Sequence, residues 1–174
     1  MIFLKLISKF IKVLRSGASP NQIAWGFALG TIPGLTPLAC LHNLFVLILI
    51  IIFKINLAAA TMALALFSFI AWIFDPFFHN LGFIILVRIS ALQNPWTELY
   101  NAPVAPLSFF NNTVVMGSLV TAIVLLLPNY FFFKWFVRRY RDSWNAKIDK
   151  WKIVKVLKGS KLVKVYTKIR RLEA

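Results

Sequence analysis

Between Pro20 and Asn43 the chain reads PNQIAWGFALGTIPGLTPLACLHN. The stretch is apolar enough for lipid, yet Gly26, Gly30, Pro33, Gly34 and Pro37 crowd into it. Glycine and proline at that density oppose one smooth helix. In hydrocarbon, a broken backbone is tolerated only where protein or a water-filled cavity satisfies its freed N–H and C=O groups. The stretch is therefore expected to form a re-entrant hairpin or a discontinuous helix, broken at Gly30, Pro33, Gly34 and Pro37. The other apolar segments should pack around it.

Those other segments are plentiful. Of the 174 residues 60% are hydrophobic, against about 45–50% in soluble domains, so a bilayer must take the excess apolar surface. The expected fold is all-α: a small polytopic integral membrane protein with an N-terminal amphipathic helix, broken or re-entrant helices and a basic cytoplasmic tail. The net charge is +15, from 20 Lys and Arg against five acids. From Ser16 to Val87 only Lys54 and Asp75 are charged; the cations gather in the first fifteen residues and between Lys134 and Arg171. Basic flanks around an apolar middle point to the bacterial inner membrane with both termini cytoplasmic. The implied division is an interfacial helix at 1–17, a transmembrane domain at 18–137 and a basic tail at 138–174. The lone Cys40 excludes an internal disulfide, and its apolar setting reads as packing.

Residues 1–15 put Lys5, Lys9, Lys12 and Arg15 on one stripe of a helix, with apolar residues over the rest. That pattern suits a helix lying in the headgroup region; the lysines interrupt the apolar run that a signal peptide needs. Ser19-Pro20 reads as N-cap and first residue of a helix to about Thr31. Thr36-Pro37 repeats the signal and opens a second helix to Phe53. Leu57 to Phe74 is a spanning candidate. Asp75-Pro76 is a third cap-and-proline signal, expected to end that helix at Pro76 and open another to about Ile89. Residues 90–112 read as an interfacial loop with a short helix at Asn94-Pro95. Thr113 to Phe136 is the clearest span, kinked at Pro128 and closed by aromatic residues. Beyond Val137 the tail reads as an amphipathic helix to Gly159-Ser160 and a second basic piece.

Two cytoplasmic ends require an even number of crossings. If 20–53 enters from and returns to the cytoplasm, Lys54 stays inside, Leu57–Phe74 crosses outward and 113–136 crosses back. On that scheme 76–89 dips in from the periplasmic face, and two dipping elements would meet near the midplane, as in transporters.

Asp75 and His79, four apart, share a helical face; they read as a proton relay, or Asp75 as a plain N-cap and His79 as a satisfied polar contact, and with neighbouring Asn80 they are candidates to line a substrate or lipid path. His42 and Asn43 either line a polar path or bond to a neighbouring helix. Thr36, at a helix N-terminus at membrane depth, suits an anion, or Pro33-Gly34 merely permits a tight turn. Two histidines without a spaced acid or Cys cluster offer no metal site, and no nucleophile elbow, Walker loop or dinucleotide fingerprint occurs. No enzyme activity, metal or cofactor is therefore expected. The basic residues, Lys5, Lys9, Lys12, Arg15, Arg138 and Arg139 among them, are expected on anionic phospholipid headgroups and not on nucleic acid.

Gly26-Phe27-Ala28-Leu29-Gly30, Pro33-Gly34-Leu35-Thr36-Pro37, His42-Asn43, Lys54-Ile55-Asn56 and Asp75-Pro76 occur in this order. Together they resemble the bacterial membrane family called domain of unknown function 2062, over residues 18–90; Asp75-Pro76 stands where Asn-Pro is commoner. The resemblance implies a small inner-membrane protein. A short branch of the family looks like half of a pair whose other member is a large periplasmic AsmA-like lipid-transfer protein. The implied role is to dock that partner and help pass phospholipid between membranes. The alternatives are a stand-alone secondary transporter with a midplane polar site around Thr36, His42, Asp75 and His79, and a passive scaffold whose tail recruits a cytoplasmic partner.

Overall fold

The computed structural model describes residues 2–144, and side chains from 8 to 142. The expected tail helices beyond residue 144 lie outside the described residues. Six α-helices carry the described chain, and no strand occurs among the described residues. They are α1 (Ile2–Leu14), α2 (Pro20–Leu35), α3 (Leu41–Ile52), α4 (Leu57–Phe83), α5 (Gln93–Asn101) and α6 (Thr113–Arg139).

Helix α2 is the centre. Ser19 caps it as expected: its hydroxyl accepts from the Gln22 N–H while the Gln22 side chain accepts from the Ser19 N–H, a reciprocal capping box that satisfies two orphan donors. Thirteen residues on, Pro33 does not end the helix, which continues to Leu35. A proline in the last turn frees only one carbonyl of the ladder, and the Thr36 hydroxyl and N–H both return to Ile32 O, at 2.9 and 3.0 Å. Apolar all round, α2 is buried on nearly every side, which is what such a helix requires.

The glycines expected as breaks are contact points instead. Gly26 faces Ala59 and Ala60, Gly30 faces Ala60 and Ala63, and Gly34 faces Leu64 and Phe67. Their spacing of four puts them on one stripe, so the backbone of α2 lies directly on small residues of α4. The pairs advance together along both chains, so α2 and α4 run in the same direction. Phe78 and Gly82 of α4 meet Gly117 and Thr113 of α6, and those two helices run antiparallel. Phe27 stacks on Phe133 of α6, ring centroids 4.0 Å apart, and Trp25 lies 4.5 Å from Tyr130. The C-terminal aromatic residues of α6 thus divide: Phe133 turns inward, while Phe131, Phe132 and Trp135 face outward.

Helix α3 returns alongside α2. Its last turn ends at Lys54 (φ 50°), whose carbonyl accepts from Gln22 Nε2, and Asn56 N–H reaches Gln22 O. The segment 20–53 is therefore a helical hairpin whose two ends meet at one end of the molecule. At about 1.5 Å per residue, α2 (16 residues) and α3 (12 residues) span about 24 and 18 Å, short of a roughly 30 Å hydrocarbon core. The C-terminal end of α6 closes the same end: Arg15 Nε donates to Tyr140 Oη, and Arg141 donates to the carbonyls of Leu14, Ser16 and Ala18.

Two further expectations are corrected. The second hairpin helix opens at Leu41 with Cys40 as its N-cap, not at Thr36-Pro37; the Asn43 amide donates to Pro37 O and Leu38 O, which holds residues 36–40 as a turn. And α4 passes straight through Pro76 to Phe83, continuing as a wide turn over Ile84–Arg88. Pro76 is exposed, so the lost i−4 hydrogen bond and the ring's crowding of the i−4 carbonyl fall on an outward face of α4. There is consequently no separate helix at 76–89 dipping from the opposite face. Helix α6 likewise continues through Pro128.

Immediately after Pro128, Asn129 Nδ2 donates to Thr31 Oγ1 at 3.0 Å, and that hydroxyl donates in turn to Phe27 O. Thr31 is fully buried. This bond ties α6 to the middle of α2 in an otherwise apolar contact. Asn129→Ala is expected to cost about 1 kcal/mol, read as a lowered midpoint of unfolding in detergent.

Leu57–Arg88 and Thr113–Asp142 are long and apolar enough to cross a membrane, and only 22% and 28% of their most apolar windows are buried. Trp72, Phe69, Val124 and Phe131 are each more than 60% exposed. An apolar surface of this extent suggests a membrane protein.

Candidate functional site

Two features converge where α2 turns into α3. The first is polar. Thr36 Oγ1 lies 2.9 Å from Ile32 O, 3.1 Å from Asn43 Oδ1 and 3.1 Å from His42 Nε2. A hydroxyl has one proton. Three neighbours share it: Ile32 O, Asn43 Oδ1 and His42 Nε2, the last as donor or acceptor according to its tautomer; the buried Nδ1 of His42 has no hydrogen-bond partner. The structure brings Thr36, His42 and Asn43 together at the turn, but Thr36 ends α2 and does not begin a helix.

The second feature is apolar. A cavity of about 610 Å³ lies between α3 and the α2–α4 pair. Leu44, Leu47 and Ile50 line it from α3, and Leu57, Thr61 and Leu64 from α4; Gly30 and Pro33 lie behind, and Leu107 and Phe109 reach it from the loop before α6. The volume falls within the roughly 300–1,000 Å³ of small-molecule sites. Asn43 belongs to both features. The cavity exists because α3 is pinned at its two ends, by the turn at 36–43 and by the Lys54–Gln22 contact, while its middle stands off α4.

The second expected constellation does not assemble. His79 Nδ1 lies 2.7 Å from Thr113 Oγ1, a contact between α4 and α6 and not with Asp75. Asp75 is exposed in mid-helix and caps nothing, and Asn80 is exposed beside His79. Asp75, His79 and Asn80 thus belong to α4 well beyond the hairpin turn. Among the described residues no group of His, Cys, Asp and Glu is placed to hold a metal ion.

Of the expected headgroup cations, Arg15, Arg138 and Arg139 belong to the end where the hairpin closes. Lys9, Lys12, Arg138 and Arg139 are exposed. Lys134, Arg138, Arg139, Phe131, Trp135 and Asp142 border a shallow groove there. Arg15, by contrast, is half-buried on Tyr140, so its guanidinium serves the fold. The side chain of Lys5 lies outside the described ones.

Sequence reading missed Arg141, Thr31 and Asn129, whose partners are about a hundred residues away, and the cavity itself. The only signal for Asn129 was an amide inside an apolar span, which in lipid needs a partner.

Comparison with known proteins agrees with this picture at the level of family. A protein of Treponema pallidum (strain Nichols), described as "Uncharacterized protein", is 26% identical over 161 residues, covering 92% of this chain and 99% of the relative. No solved structure matches. The model of the family described as "Uncharacterized protein conserved in bacteria (DUF2062)" matches residues 5–145, from α1 through α6. The chain belongs to that family.

Proposed function

We propose that this protein is an inner-membrane subunit that docks a large periplasmic AsmA-like lipid-transfer partner and passes phospholipid to it. The observation that carries the reading is the cavity between α3 and α4: about 610 Å³, lined almost wholly by aliphatic side chains, in a molecule whose outer surface is itself apolar. A site of that chemistry takes hydrocarbon, not a polar solute. On this reading α4 and α6 cross the bilayer, and the end that carries Arg15, Lys54, Arg138, Arg139 and Arg141 faces the cytoplasm by the bias of cations to that side. The hairpin α2–α3 then enters from the cytoplasm and returns to it.

Purification of the tagged full chain from native membranes in mild detergent tests the reading. A large protein with a periplasmic domain should accompany it, and a C-terminal tag should be accessible only from the cytoplasmic side. A clean monomer without partner, or a periplasmic tag, overturns it. One observation favours a second reading, a small transporter: Thr36, His42 and Asn43 gather at the hairpin turn with a bare His42 Nδ1. Proteoliposomes that move a solute or protons, and lose that flux on His42→Ala, would select it.

A further inference from the structure

Resting on the phospholipid reading, we infer that the cavity is the berth of one acyl chain of a phospholipid whose phosphate lies at Lys54. The cavity follows α3 for most of its length, about 18 Å at 1.5 Å per residue. Its two ends differ. At one end Ile50 and Leu57 flank the α3–α4 turn, and that turn carries Lys54, exposed and held with φ at 50°. Lys54 is the only charged residue between Ser16 and Phe74. At the other end Leu107 and Phe109 meet the cavity, with no charge.

An apolar groove with Lys54 on the turn beside one end, at the cationic end of the molecule, matches one class of molecule, an anionic head on an apolar chain. The match also fixes the direction: head at Lys54, chain terminus toward Phe109. A transmembrane helix of a partner would fill the same space with an apolar surface but would make no use of a single terminal cation. Phe109 adds a detail at the far end. It is a bulky residue in the left-handed region (φ 55°, ψ 28°), a conformation that non-glycine residues adopt only where the surroundings impose it.

The test uses the full chain in nanodiscs containing phosphatidylglycerol with a diazirine at the acyl terminus. After irradiation, adducts mapped by mass spectrometry should concentrate on Leu38–Leu44 and Leu107–Phe109. Filling the berth with Thr61→Trp should abolish those adducts, while Ile51→Trp, on the outward face of α3, should leave them. Lys54→Gln should weaken retention of phosphatidylglycerol by about fivefold, the loss of one cation near an anionic headgroup, with phosphatidylcholine as the comparison lipid. Adducts spread evenly over the outer faces of α4 and α6 overturn the berth, as does retention unaltered by Lys54→Gln. Failure here is separable from failure of the proposed function: a partner that still co-purifies with lipid bound elsewhere removes only the berth.

Discussion

Gly82→Ala is expected to drive α4 and α6 apart and to unfold most of the protein at temperatures where the parent chain is folded. The Cβ added at Gly82 would fall on the carbonyl oxygen of Thr113, and one added at Gly117 would fall on the carbonyl oxygen of Phe78. Both obstacles are backbone, so no rotamer change relieves them; a helix must move. Overpacking a tight contact costs about 1–3 kcal/mol where side chains can yield, and here the cost should exceed that range because none can. The same crossing carries the His79–Thr113 hydrogen bond, which would be lost as well. Against a total stability of about 5–15 kcal/mol such a loss is large. The control is Gly17→Ala: nothing lies within 4 Å of an added Cβ there, so its midpoint of thermal unfolding in detergent should match the parent. Equal midpoints for Gly82→Ala and Gly17→Ala would mean that α4 and α6 do not approach as closely as described.

Glycines of this kind explain part of what the sequence concealed. Gly26, Gly30 and Gly34 look like breaks when read against helix propensity, and like a docking stripe when read against Ala59, Ala60 and Ala63. Only the partner helix decides, and the sequence does not name it. Asp75-Pro76 presents the same ambiguity. A proline at the first position of a helix and a proline in mid-helix on an exposed face leave the same local pattern, and Pro76 is the second kind. By contrast, Ser19-Pro20 was legible as cap and first helical residue, because the cap and its structural partner Gln22 lie within four residues. The hairpin was one of two forms that the glycines and prolines left open, and charge bias and parity favoured it by returning Lys54 to the side of the cationic ends.

The candidate site divides in the same way. Thr36, His42 and Asn43 were visible as polar groups in an apolar run, and a turn of a few residues suffices to bring them together. The cavity was not visible, because a leucine facing a groove and a leucine facing lipid have the same chemistry. Which face of α3 lies toward α4 follows from the two pins at its ends, both of them tertiary.

Arg141 shows what a run of cations can hide, and it carries the second large effect. Within Arg138, Arg139 and Arg141 nothing in sequence separates a solvated cation from a structural one. In space, Arg138 and Arg139 are exposed, whereas Arg141 sends Nε to Leu14 O at 3.0 Å and one terminal nitrogen to Ser16 O and Ala18 O, both at 2.8 Å. Leu14 ends α1, so its carbonyl is one that a helix terminus leaves unpaired, at the end where a cation is favoured by the helix dipole; the Ser16 and Ala18 carbonyls belong to the turn that follows. Arg141→Ala is expected to destabilise the docking of α1 by about 2 kcal/mol, the lower part of the range for hydrogen bonds to charged groups because the site is partly open to water. Arg141→Lys should recover little, since a single ammonium cannot reproduce the fork. Tyr140→Phe, which keeps a fully buried ring and removes only the bond from Arg15, should cost about 1 kcal/mol. Hydrogen exchange separates this from global unfolding: amides of α1 and of residues 15–19 should exchange faster in Arg141→Ala while those of α4 and α6 keep the parent rate, since a local opening leaves the remaining core intact. Protection of α1 unchanged by Arg141→Ala would show that the hydrophobic contacts of Val13 and Leu14 alone hold the amphipathic helix against the bundle.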